Sequence, residues 1–175
     1  MEITTEFDEI RPYNSEELPQ IYEELIADPA FQNAIAYAIP GVPFEAVANK
    51  MRSCKTSLEF QKAFSAEFLW GIARKHTDGL TFDNSALTNQ NLSYTYISNH
   101  RDIALDASFL NVMLYDVGYG MTQVAIGDNL LIRSWIETLV RLNNSFLVKR
   151  NLPVRQKLEA SAELSAYIRH TILET

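Results

Sequence analysis

Six positions of this 175-residue chain are suited to chemistry: His100, Asp102, Asp106, Gly127, Lys149 and Arg150. The tract Ser98-Asn99-His100-Arg101-Asp102-Ile103-Ala104-Leu105-Asp106 sets one imidazole close in sequence to two carboxylates. A carboxylate that accepts from one ring nitrogen fixes the tautomer and leaves the other nitrogen free to take a proton. Such a pair suits deprotonation of an alcohol. Lys149-Arg150 offers two cations to a phosphate, and Gly127, which opens Gly127-Asp128-Asn129-Leu130, permits close backbone approach. Each tract alone also has an ordinary structural reading: a polar loop, a helix cap, a helix start, a solvated pair of cations.

The elements that must position these residues follow from periodicity. Ser15 is expected to cap a helix carrying Leu18, Ile21, Tyr22, Leu25 and Ile26, which Asp28-Pro29 ends. Asp28 then caps a short helix from Phe31 to Ile39, and another follows Pro43. Thr56 opens a longer helix whose apolar face holds Leu58, Phe60, Phe64, Phe68, Leu69 and Ile72. Residues 1–75 therefore read as a helical region and 76–92, rich in turn formers, as a linker. From residue 93 the period changes. The expectation is a strand at Tyr94–Ile97, a helix from Ile103 to Tyr115, a strand at Thr122–Ile126, a helix from Asn129 to Leu142, a strand at Ser145–Val148 and a helix after Pro153. Together they predict an α/β chain: an N-terminal helical region, then a partial, mainly parallel sheet with flanking helices over residues 93–175. In such a sheet ligands collect at the carboxyl ends of the strands, where His100, Gly127 and Arg150 fall.

Composition narrows the function classes. Apolar residues make up 47% of the chain and charged ones 21%, enough for a core. The net charge of −7 argues against nucleic-acid binding by bulk charge. Ten acidic and two basic residues lie in positions 1–50, so the excess is an N-terminal block, read as a solvated helical surface. The single cysteine, Cys54, forms no internal disulfide and reads as a small buried residue. Besides His100 the histidines are His76, expected to be structural at a helix end, and His170, expected on a solvated face of the final helix, and no HExxH pattern occurs. The N-terminus lacks the basic and apolar regions of a signal peptide, and no apolar run is long enough to span a bilayer. A cytoplasmic chain is expected, soluble or on the inner face of the membrane. Trp70 and Trp135 are expected in the core, with anchoring at a membrane interface as the alternative. Leu130, Leu131, Ile132, Trp135, Ile136, Leu139 and Val140 form a stripe that either packs on the sheet or makes a peripheral membrane contact.

Taken in order, the three tracts resemble the glycerol-phosphate and lysophospholipid acyltransferases. Ile97-Ser98-Asn99-His100-Arg101 through Asp106 is similar to that family's His-x4-Asp block. Gly127-Asp128-Asn129-Leu130 is similar to a Gly-Asn/Asp-Asn-Leu tract, and Asn144-Ser145-Phe146-Leu147-Val148-Lys149-Arg150 to the block ending in Arg. The resemblance covers roughly residues 93–175. It implies a glycerolipid O-acyltransferase of phospholipid synthesis with His100 as general base and Asp106 as its orienting carboxylate. Arg150 with Lys149 is implied to contact the acceptor's phosphate, and Phe146 to shape the acceptor site. The implied donor is an acyl thioester, acyl-coenzyme A or acyl-carrier protein; the acceptor is glycerol-3-phosphate or a lysophospholipid. No metal or other cofactor is implied.

Three departures qualify the resemblance. His100 and Asp106 are spaced as His-x5-Asp, one residue longer than the family pattern, which leaves Asp102 as an alternative partner. A Gly-like position is occupied by Asn144, a residue that tolerates the left-handed conformation. The family's Glu-Gly-x-Arg block does not occur before Thr175. The expectation is therefore the N-terminal part of an acyltransferase, weakly active or inactive alone. The competing expectation is a non-catalytic interaction protein that keeps the half-domain and uses its acidic helices as a surface.

Overall fold

The structure is a computed structural model that describes residues 7–99 and 101–174. Helices fill its first part: α1 (Leu18–Ala27), α2 (Pro29–Ala38), α3 (Phe44–Ser53), α4 (Ser57–Phe60) and α5 (Glu67–His76), with a π-helical segment, Gln61–Ala66, joining α4 to α5. Asp28 caps α2 by accepting from the backbone N–H of Ala30 (2.7 Å) and Phe31 (3.2 Å). Thr56 caps α4 through the N–H of Glu59 at 3.1 Å. The start of α1 differs from expectation. Its N-cap is Glu17, which makes no capping bond, because its carboxylate is held by Arg11 and by the N–H of Asn14.

Leu18, Tyr22, Leu25, Phe31, Val47, Met51 and Phe60 form one buried cluster, and Leu142 belongs to it. The acidic side chains of this region lie mostly outside, where Arg52 pairs with Glu23 and Glu45. Cys54 is buried, as its size and polarity predict.

Residues 77–104 carry no helix or strand among the described residues. After them come α6 (Leu105–Asp116), β1 (Val124–Gly127), a 3-10 turn (Asp128–Leu130), α7 (Ser134–Leu142), β2 (Ser145–Val148) and α8 (Val154–Glu174). β1 and β2 are parallel, with Val124 opposite Ser145 and Gly127 opposite Val148. α7 is their crossover, and Asn144 turns the chain from α7 into β2 at φ 59°, the left-handed conformation that its side chain tolerates.

Two expectations are corrected. Tyr94–Ile97 forms no strand, although its composition is β-prone. Strand propensity records the fit to neighbouring strands, and here the rings of Tyr94, Tyr96 and Tyr119 pack on one another while Ile97 stays 94% exposed. The stripe before and along α7 does not pack on the sheet alone: Trp135 and Leu139 pack on the helical cluster, Leu131 packs on the cluster that holds Leu147 of β2, and Leu130 and Ile132 are exposed. The helical region and the α/β segment therefore share one core. No helix among the described residues is long and apolar enough to cross a membrane.

Arg141 fastens the N-terminal segment to this core. Its Nε donates to the Arg11 carbonyl (2.9 Å), its Nη2 to the Asp8 carbonyl (2.7 Å), and its guanidinium lies 4.3 Å from the Tyr13 ring centroid. Replacing it leaves two carbonyls unpaired. Arg141→Ala is expected to cost about 2–4 kcal/mol in urea unfolding, with little rescue by Arg141→Lys, whose point charge does not reproduce the planar fork.

Arg11 also donates to both Glu17 oxygens, at 2.6 and 3.1 Å, and holds that carboxyl below its ordinary range. A depressed carboxyl stabilises the fold above its ordinary pKa, and that contribution disappears as pH falls through the lower folded value. The melting temperature of Glu17→Gln should lie below wild type at neutral pH and converge with it on acidification. A gap that persists in strong acid would overturn this assignment.

Candidate active site

The carboxyl ends of β1 and β2 gather part of the expected site. β1 ends at Gly127, which is buried, and Arg150 follows β2 by two residues. A Cβ on Gly127 would lie 2.6 Å from Asn129 Oδ1 and 2.8 Å from Arg150 Nε. Both side chains thus lie against the glycine backbone. Glycine is favoured here by space, not by conformation, since the backbone at Gly127 is extended (φ −71°). The Arg150 N–H donates to Asp128 Oδ1 at 3.0 Å, which locks the end of β2 to the turn after β1. An exposed guanidinium above a strand end can bind an anion in a bidentate manner.

Asp102 and Asp106 divide their work. Asp102 Oδ1 accepts from the N–H of Ala104 (2.9 Å) and Leu105 (2.7 Å), a cap on the first turn of α6. Asp106 Oδ2 accepts from the N–H of Arg101 (2.7 Å) and Asp102 (2.9 Å). Its carboxylate therefore reaches back from the helix to the loop that precedes it, and touches the peptide immediately after position 100. His100 itself lies outside the described residues.

Lys149, which directly follows β2, and Phe146 within it have partners of their own. Lys149 Nζ pairs with Glu9 and, at 3.2 Å, with Glu163, and these carboxylates raise its pKa above the ordinary lysine value. Its charge is spent on binding the N-terminal segment and α8 to β2. Phe146 packs against Tyr167, ring centroids 5.3 Å apart, beside the cluster of Phe7, Ile10 and Leu147. It is partly buried in β2, packed against that cluster.

Two contributors were not singled out from sequence. Asp128 holds Arg150, and the neighbouring Asp in the Gly-Asp-Asn tract was the available signal. Asn111, buried in α6, accepts from the Thr122 N–H (2.7 Å) and hydroxyl (2.6 Å), tying α6 to the start of β1; a lone Asn in an apolar helix was its only mark.

Neither the cleft of about 100 Å³ beside Tyr22 and Cys54 nor the shallow groove of about 460 Å³ along α8 includes the expected site residues. Among the described residues no group of three or more His, Cys, Asp or Glu could hold a metal ion. The chain matches no family model, no curated protein and no solved structure.

The Gly127 contacts are testable. Both neighbours are side-chain atoms, so the clash of Gly127→Ala is relieved by moving Arg150 and Asn129. The variant should cost only about 1 kcal/mol in stability while shifting the Arg150 Nε–H resonance, and Arg150→Ala should absorb most of the cost. Unchanged Arg150 signals in Gly127→Ala would contradict the packing.

Proposed function

We propose that this chain carries the acceptor-activating part of a glycerolipid O-acyltransferase. The observation that carries the reading is Asp106. Its carboxylate binds the backbone of Arg101 and Asp102, so the residue that the resemblance pairs with His100 is anchored on the loop that follows it. Asp102, occupied as a cap, is the weaker candidate for that pairing. Arg150 above Gly127 supplies a cation at the carboxyl ends of parallel strands, where an acceptor phosphate is expected.

In this mechanism His100 accepts the proton of the acceptor hydroxyl as its oxygen attacks the thioester carbonyl. The tetrahedral intermediate collapses with loss of the thiolate, which takes the proton back from His100. The oxygen ester and a free thiol are the products. Asp106 orients the base and stabilises its protonated form. Arg150 binds the acceptor's phosphate, and Lys149, paired with Glu9 and Glu163, holds the strand that presents it. The donor is acyl-coenzyme A or acyl-carrier protein, and the acceptor glycerol-3-phosphate or a lysophospholipid.

A non-catalytic interaction protein is the second reading. It draws support from Tyr94–Ile97, which leave the sheet with two strands.

Two measurements separate the readings. Glycerol-3-phosphate should perturb the NMR resonances of Gly127, Asp128 and Arg150, with binding weakened about tenfold by Arg150→Ala. Thiol release from acyl-coenzyme A in the presence of acceptor should be slow, and reduced about 100-fold or more by His100→Ala. Release that survives His100→Ala would sink the mechanism; no binding and no release would leave the interaction reading.

A further inference from the structure

α8 carries a second surface that acyl transfer does not use. Successive helical residues turn by about 100°, so Val154, Leu158, Ser161, Ser165, Ile168 and Ile172 fall within a sector of roughly 80°. Their spacing, alternately four and three residues, is that of a helix–helix seam. The stripe is open: Val154 is 81% exposed, Leu158 77% and Ile172 44%. Tyr167, by contrast, is buried on the far side of the helix, against Phe7 and Phe146.

The charges on α8 divide along the same line. Arg155 and Arg169 border one side of the stripe and Lys157 the other, and all three are exposed. None of the three forms an ion pair among the described residues. Glu159 and Glu163 lie on the opposite half of the helix, and Glu163 is bound to Lys149. An apolar seam is thus flanked by cations alone.

We propose that this face docks an acidic amphipathic helix of a partner protein: apolar residues meeting the stripe, and Asp or Glu on the partner's flanks meeting Arg155, Lys157 and Arg169. The pair Ser161 and Ser165 at the middle of the seam lets two backbones approach closely. In a lipid interface the same two hydroxyls would face acyl chains, and the stripe holds no aromatic residue to anchor there. A second copy fits poorly, because an antiparallel pair of such helices sets Arg155 and Arg169 against each other.

The test uses the full chain and three probes. Two are three-heptad peptides with Leu at the seam and either Glu or Lys at the flanks; the third is a phosphatidylglycerol vesicle. Calorimetry should give saturable binding of the Glu peptide, at least about tenfold tighter than its Lys twin. Leu158→Ser should weaken it, and the double variant Arg155→Glu, Arg169→Glu should reverse the preference; both changes are at exposed positions, and circular dichroism checks the fold. Equal affinity for the two peptides, binding to vesicles only, no binding to any probe, or a dimer in sedimentation that Leu158→Ser dissolves would each overturn the proposal.

Discussion

The buried guanidinium of Arg141 is the contact on which the arrangement of this chain depends. A charge with its side chain only 11% exposed must be hydrogen-bonded to be tolerated, and two of its bonds go to the carbonyls of Asp8 and Arg11. The segment it captures then acts in two directions. Tyr13 packs on the helical cluster, while Phe7 and Ile10 pack with Leu147 and Tyr167. The Ile10 carbonyl also accepts from the Leu147 N–H at 2.8 Å, along the edge of β2 that faces away from β1. One arginine on α7 thereby joins the two apolar clusters and covers a strand edge. The acidic N-terminal block is partly explained by this strap, since Asp8, Glu9 and Glu17 all balance cations that hold it down.

The same economy governs the strand ends. β1 and β2 are only four residues each, too little for a self-sufficient sheet, and they are held by what surrounds them. Asn144 turns into β2, Gln61 donates to the Asn143 carbonyl at 3.0 Å, and Ser65 binds the Asn143 side chain. Both of the latter come from the π-helical segment. An extra residue per turn there aims two polar side chains at the end of α7 while Phe60 and Phe64 stay in contact with the core. The start of β2 is therefore held by the helical region as well as by its pairing with β1.

Much of this was legible because local chemistry and tertiary structure agree. Asp28 and Thr56 cap helices, Asn144 is left-handed, Cys54 is buried, and the α7 crossover joins parallel strands. What was not legible needed knowledge of neighbours. Tyr94–Ile97 has strand composition but no strand beside it. Trp135 and Leu139 form a stripe whose partner, helices in place of a sheet, lies more than a hundred residues away in sequence for Leu18 and Tyr22. The contacts of Lys149 with Glu9 and Glu163, and of Phe146 with Tyr167, are likewise announced by no local pattern.

Against the resembled family's pattern, the chain carries one extra residue between His100 and Asp106. Within a helix it would rotate a carboxylate by about 100° away from its target. The helix, however, begins at Leu105, and Asp102 caps it from the loop, so the added residue falls where no helical phase exists to be disturbed. Asp106 is then in the first turn, and its carboxylate folds back onto the amides of Arg101 and Asp102. Two carboxylates that compete for one role in the sequence become successive parts of a single device: one starts the helix, and the other ties that helix to the loop. A carboxylate in this place satisfies amides that precede the helix and lies at the positive end of the helix dipole.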